Sequence, residues 1–235
     1  HLVANVTHFR WLEEPERSQL RNFIQVFVAE KNWEGCGGLE LDDEIRVTIA
    51  AHACLLLLGL EHDFYRNTPS ILVYPSTVVH PGQRFQSHQI PLGPVGRSVP
   101  ILGEAFERGP VILVWDAVKH AGRYPASGVN VVYHEFAHKL DMLDGVADGT
   151  PIFVDRKALR QWVSVCEHQF LVLQKQTERG QRTFLDAYGA TDEAEFFAVI
   201  TEQFFDEPAA MRHHHPDLYE VLQAFYRQDP AKRVE

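Results

Sequence analysis

The sequence predicts an α+β fold, predominantly helical, in which a small β-sheet lies beside one motif-bearing helix. Apolar residues recur at helical spacing in several separated stretches, while β-branched and aromatic residues concentrate in only two short runs, 71–79 and 111–115. No internal repeat and no compositional break divides the 235 residues, so one domain over 1–235 is expected, with N-terminal helices in 1–65 packing on a core of 70–235. A composition of 45% hydrophobic residues is ample for a sizeable core at this length.

Leu12, Leu20, Phe23, Ile24, Phe27 and Val28 share one face of a helix over 12–30, with Pro15 tolerated in its first turn. Trp33 to Gly38 reads as a glycine-rich break. Asp42 or Asp43 then caps a second, mostly buried helix that runs through Leu58 and is closed by Gly59. Its His52 has no partner at ligand spacing and reads as a core histidine. Ile71 to Val79 is a strand that Pro75 confines to an edge or breaks. Pro81 to Gly96, rich in glycine, proline and polar residues, reads as a surface excursion near the mouth of a site.

Gly109-Pro110 introduces a strand over Val111–Trp115, ending at Asp116. It fits either an edge strand able to pair with an extended peptide or a central strand buried on both faces. His120 to Gly128 reads as a turn-rich linker whose Ser127 caps the following helix. Further helices are expected over Leu159–Gln174 and, after a turn at Tyr188-Gly189 and a cap at Asp192, over the apolar run ending at Glu207. Lys175 to Arg182 is polar and exposed, His213-His214-His215 reads as a solvated loop, and a last helix covers Leu218–Tyr226.

A formal net charge of -10 with no Lys/Arg cluster excludes an electrostatic footprint for nucleic acid or an anionic membrane surface. Cys36, Cys54 and Cys166 are odd in number and lack CxxC spacing, which predicts reduced thiols and a cytoplasmic setting. The apolar run within Ile49–Leu60 is too short for a transmembrane helix, and no charged-then-apolar leader opens the chain. Because the chain starts at His1 rather than methionine, removal of a preceding segment is expected.

The chemistry concentrates in Val129 to Gly145, VNVVYHEFAHKLDMLDG. Two histidines four residues apart stack on one helix face, so His134 and His138 can reach one metal ion while Glu135 projects beside them, an arrangement suited to a hydrolase. Val131, His134, His138 and Asp141 form one stripe, and Val132, Phe136, Leu140 and Leu143 an apolar stripe nearly opposite. Ala137 keeps the helix surface low beside the ligands, Gly145 terminates the helix, and Asp141 stands where it can orient a ligand imidazole or remain a solvated acid.

A catalytic metal needs a third protein ligand. Asp144 stands six residues after His138, but the bent-helix motif with that spacing wants glycine where Asp141 stands. A later helix offers Glu193, Glu195 and Glu202. Glu195 is preferred because it is followed at once by Phe196-Phe197, which buries the helix and holds the carboxylate inward; the alternatives are a capping-box role for Glu195, with Glu193 or Glu202 as ligand.

HEFAHKLDMLDG and YGATDEAEFFAV together resemble the Mlc titration factor A family of bacterial zinc peptidases, whose catalytic core is similar to that of anthrax lethal factor. The resemblance spans most of the chain. It implies a zincin-like metallopeptidase fold and a gluzincin site with one Zn2+ per chain held by His134, His138 and Glu195. Glu135 would be the catalytic glutamate, and Tyr188, seven residues before Glu195, an auxiliary hydroxyl. Val199 departs from lethal factor, which carries a glutamate there, so a supporting carboxylate at that position is absent. The resemblance further implies aminopeptidase-like action on short peptides and a partner in a transcriptional repressor of the Mlc type, linking the protein to sugar-uptake genes. The alternative is a zinc-stabilised protein that sequesters the repressor with little catalysis.

Overall fold

A computed structural model describes residues 1–76 and 109–234. Two short helices, α1 (Leu2–Asn5) and α2 (Thr7–Trp11), open the chain ahead of α3 (Glu14–Glu30). Pro15 occupies the first turn of α3, and Glu13 and Glu16 form its capping box. The face carrying Leu20, Ile24 and Phe27 is buried, as its spacing requires.

Residues 33–35, expected to lie in a glycine-rich break, instead belong to strand β1 (Asn32–Gly35). Its residues are mostly exposed and show no alternation, so the strand exists through pairing with β2 (Ser70–Tyr74), a contact that local composition does not encode. β2 stops just before Pro75, where the missing N–H ends a ladder. It pairs in parallel on its other side with β3 (Val111–Val114), placing Ile71 beside Val111 and Val73 beside Leu113. The sheet order is β1-β2-β3, and among the described residues β3 pairs with β2 alone. The distal part of the 71–79 strand and the Pro81–Gly96 excursion lie outside the described residues.

Helix α4 (Asp43–Leu55) crosses from β1 to β2, with the Asp42 carboxylate accepting from Ile45 N at 2.9 Å. It ends at Leu55, a turn earlier than Gly59 suggests. After β3 the chain turns directly into α5 (Trp115–Arg123), so the stretch expected as a strand end and linker is largely helical. Its buried Val118, Ala121 and Gly122 pack toward the N-terminal helices, where Arg123 Nη2 donates to Asn5 Oδ1 at 2.8 Å. At Gly122 a Cβ would stand 2.1 Å from Asn5 O, so glycine sets that approach.

The motif helix α6 (Val131–Asp141) runs through the centre, with Phe136 packed edge-on against Tyr65 and Phe27 at 4.7 and 5.7 Å between ring centroids. Then come α7 (Arg156–Glu178), α8 (Glu193–Asp206), α9 (Pro208–His214), α10 (Pro216–Tyr226) and α11 (Pro230–Val234). The polar run from Lys175 begins within α7, which continues to Glu178. His213 and His214 belong to the last turn of α9 rather than to a loop, and the His214 ring stacks on Phe184 at 5.1 Å. Buried apolar side chains form a continuous core from Val6 to Ala231. Among the described residues no helix is long and apolar enough to cross a membrane.

Candidate metal centre

Asn130, not Ser127, caps the motif helix, its side-chain oxygen accepting from Tyr133 N at 3.3 Å. Ser127 lies in a preceding 3-10 turn and bonds back to Tyr124 O. From that cap the helical period does what the spacing requires. Val132, Phe136 and Leu140 are buried in the core, while His134 and His138 project from another face with ring centroids 4.9 Å apart. Leu143, expected to continue the apolar stripe, is 40% exposed because the helix tightens into a 3-10 turn over Met142–Asp144, closed by Gly145 at φ 91°.

The third donor comes from the first turn of α8. Asp192 caps that helix by accepting from Glu195 N at 2.9 Å, which leaves the Glu195 side chain free to reach the histidines. Glu195 Oε2 lies 3.0 Å from His134 Nε2 and 3.5 Å from His138 Nε2, and the two ring nitrogens are 3.3 Å apart. Bonds of about 2.0–2.1 Å at a tetrahedral angle put two ligand atoms about 3.3 Å apart, so these three donors have the separations that one ion imposes. They are the one metal-ligand grouping among the described residues. The donor set fits a metal ion.

The surrounding groups are ordered around this point. Glu202, two turns along α8 from Glu195, is buried and bridges two partners: Oε1 meets His134 Nδ1 at 2.8 Å, and Oε2 accepts from Asn130 N at 2.5 Å. It is therefore neither solvated nor a ligand. Its bond to Nδ1 leaves His134 Nε2 turned toward Glu195 and His138. Position 199 has no carboxylate, as expected, and Val199 instead packs beneath the Tyr188-Gly189 turn. The carboxylate that meets His134 Nδ1 stands three residues later, at Glu202. Its signature in the sequence is a glutamate inside a run of apolar residues, where an acid cannot be left without partners.

Tyr188, in a 3-10 turn over Ala187–Ala190, donates its hydroxyl to Glu195 Oε1 at 3.0 Å. Burial, followed by the nearby Glu195 carboxylate, raises its pKa far above 10, so the phenol remains a donor. Glu135 is half-buried, and its charge acts on both His134 and Tyr188. Burial alone would depress His134, but hydrogen bonds to Glu195 and Glu202 outweigh it and raise the metal-free imidazole from 6.5 to about 10. Burial would raise Glu195, yet the two histidines hold it well below the usual carboxylate range.

Asp141 does not orient a ligand imidazole. Its Oδ2 accepts from Gly149 N at 2.9 Å, because at the end of α6 the carboxylate faces the returning chain, and burial raises its pKa to about 6. Asp144 is exposed and caps Val146 N, and Glu193 is exposed on the far side of the same α8 turn. His52 is fully buried, with Nδ1 on Thr48 O at 3.0 Å, the core histidine that its setting predicts.

Comparison with known proteins agrees with this geometry. Residues 1–227 match the family described as glucose-regulated metallo-peptidase M90. An uncharacterized protein of Synechocystis is 38% identical over 93% of this chain and 79% of its own length. Mlc titration factor A of Salmonella arizonae is 32% identical over 95% of this chain and 88% of that protein, and its counterpart in Salmonella gallinarum is 31% identical over 95% and 83%. With a family match over nearly all of its length and two donor helices that converge on one metal position, the chain belongs to the M90 metallopeptidases, the family of Mlc titration factor A.

Proposed function

We propose that the protein is a zinc-dependent peptidase of the gluzincin type, acting as one zincin-like domain on short peptides in an aminopeptidase-like manner. The observation that carries this reading is the convergence of His134, His138 and Glu195 at tetrahedral separations, with Tyr188 bonded to Glu195 and Glu135 next to His134 on the motif helix. Two imidazoles and one carboxylate are a donor set typical of catalytic zinc, which needs a further position open to water or substrate. The chemistry zinc supplies when bound is Lewis-acid polarisation of the scissile carbonyl and of the attacking water. Glu135 accepts the proton from that water and returns it to the leaving amine nitrogen. Tyr188, held protonated, donates to the oxyanion that develops on the carbonyl oxygen. Glu202 keeps His134 in the tautomer that presents Nε2.

A second reading is favoured by the name of the relatives, Mlc titration factor A: a zinc-stabilised protein that binds an Mlc-type repressor and modulates sugar-uptake genes with little catalysis. The three free thiols support a cytoplasmic setting for either role. The Glu135→Gln protein separates them. It should retain zinc and lose at least about a hundredfold in hydrolysis of a chromogenic peptide panel, the scale of a lost general base. Hydrolysis at the wild-type rate by a zinc-loaded Glu135→Gln protein would sink the mechanism, and repressor binding by that inactive protein would support the second role.

A further inference from the structure

Between the two donor helices the chain passes through a turn that touches both. Asp148 Oδ1 accepts from Thr150 N at 3.0 Å, which closes the turn, and Gly149 at its centre takes φ 73°. Three elements hold Gly149. From the C-terminal end of α6, the fully buried Asp141 accepts from Gly149 N at 2.9 Å, and from α7 the buried Trp162 donates its Nε1–H to Gly149 O at 3.1 Å. On the third side the turn presses against α8. A Cβ at Gly149 would overlap the Glu193 carbonyl, standing 2.7 Å from its carbon, so the glycine backbone lies directly on the first residue of that helix. Glu195 follows two residues later in the same helical turn, its N–H held by the Asp192 cap.

We propose that Asp141 is a positioning residue of the metal centre, one that sets, through Gly149, where the first turn of α8 carries Glu195 relative to the histidines. The inference rests on the zinc reading above. Asp141 lies one turn beyond His138 and is the last residue of α6, so its carboxylate moves with both imidazoles. On local grounds this is a poor place for an acid: the C-terminal end of a helix carries negative partial charge, and burial removes the water that would offset it. Asp141 therefore does not serve α6 itself, and its hydrogen bond runs outward, to the turn. Of the two bonds to Gly149, only this one joins the helix of the histidines to the seat of Glu195, since the Trp162 bond ties the turn to α7, which supplies no donor. Packing of α8 on α6 brings the two helices together, and the Asp141–Gly149 bond fixes the end at which Glu195 stands. Donor separations of 3.0 to 3.5 Å leave little room for drift, because metal–ligand distances tolerate only about 0.2 Å.

The test compares zinc affinity of the metal-free proteins, each as the whole chain, by competition with a chromophoric chelator at a temperature where circular dichroism shows them folded. Asp141→Leu removes the acceptor at similar volume and should bind zinc about tenfold more weakly, within the range for lost supporting contacts around a metal. Asp141→Asn keeps an oxygen for Gly149 N and should stay within about threefold of wild type. If the leucine variant does not fold, Asp141→Ser, which lets water reach Gly149 N, should show the same weakening. The decisive comparison is a double-mutant cycle: in a Glu195→Ala protein, which binds through the two histidines, Asp141→Leu or Asp141→Ser should weaken zinc no further, because the residue it positions is gone. Wild-type affinity in a folded Asp141→Leu or Asp141→Ser protein would overturn the proposal. An equal loss in Asp141→Asn would also overturn it, by making the effect one of charge, and so would an equal loss in the Glu195→Ala background, by placing the effect on the histidines. Absence of zinc binding by the wild type would instead overturn the zinc reading itself.

Discussion

Tyr188 bonds Glu195 and Glu202 bonds His134, the two groups that meet at 3.0 Å, and Tyr188 and Glu202 differ in how far the sequence announces them. Tyr188 stands in a turn that glycine marks, at a spacing from Glu195 that the family resemblance makes meaningful. Glu202 has no motif, and its role follows only from burial of α8 on α6. The assigned role of Tyr188 gives a sharp expectation: Tyr188→Phe should lower kcat by about a hundredfold, as for a lost oxyanion donor, with zinc content and KM nearly unchanged. Steady-state kinetics on the zinc-loaded variant decide this, and a change confined to KM would reassign the tyrosine to substrate binding. His52 yields a different prediction. Burial, aided by the neighbouring His8, lowers its pKa from 6.5 to about 3. Below pH 6.5 the unfolded chain takes up a proton that folded His52 refuses, so stability is lost as pH falls from 6.5 toward about 3. His52→Leu should flatten the fall of melting temperature over that window. An unchanged slope would mean that other buried groups, among them neighbouring His8 and Asp206, govern it.

At the scale of elements, the long helices were legible because amphipathic spacing and side-chain caps coincide. Asp42 and Asp192 cap where expected, and the helices from Arg156 and Pro216 cover the stretches read from their periodicity. β1, α2 and α5 were not legible. β1 is exposed and exists by pairing with β2, α2 is too short for a period, and α5 begins within an apolar strand pattern and includes a glycine. The N-cap of the motif helix and the role of Asp141 were misplaced for a related reason: Asn130 and Asp141 each have partners that tertiary folding brings, Glu202 and Gly149, whereas Gly145 closes the helix end as its sequence suggests. The Gly149 contact bears on function. Gly149 sits at φ 73°, and a Cβ there would stand 2.2 Å from Glu193 O, in the turn that presents Glu195. Gly149→Ala should therefore destabilise the fold by about 1–3 kcal/mol from the left-handed backbone alone. It should also weaken zinc binding by displacing the first turn of α8. Calorimetry paired with zinc titration checks both effects, and a lower melting temperature with unaltered zinc affinity would show that the turn absorbs the displacement without moving Glu195.

For the whole molecule, the two halves of the site lie far apart in sequence and meet only because α8 packs against α6. The net charge of -10 leaves attraction of the metal cation to local carboxylates unopposed by any basic cluster in the sequence. A metal that binds the folded chain and not the unfolded one must also stabilise it, so chelation should lower the melting temperature, and re-addition should restore it. In the metal-free protein His134 holds its proton between Glu195 and Glu202, so loading exchanges one cation for another at a preformed position. The most direct test of the central claim is a titration of the metal-free protein with zinc, reading hydrolysis of a chromogenic peptide panel at each addition. The account predicts no hydrolysis without zinc and a rise that breaks at one equivalent per chain. Hydrolysis by the metal-free protein, or none at any zinc concentration, would contradict it.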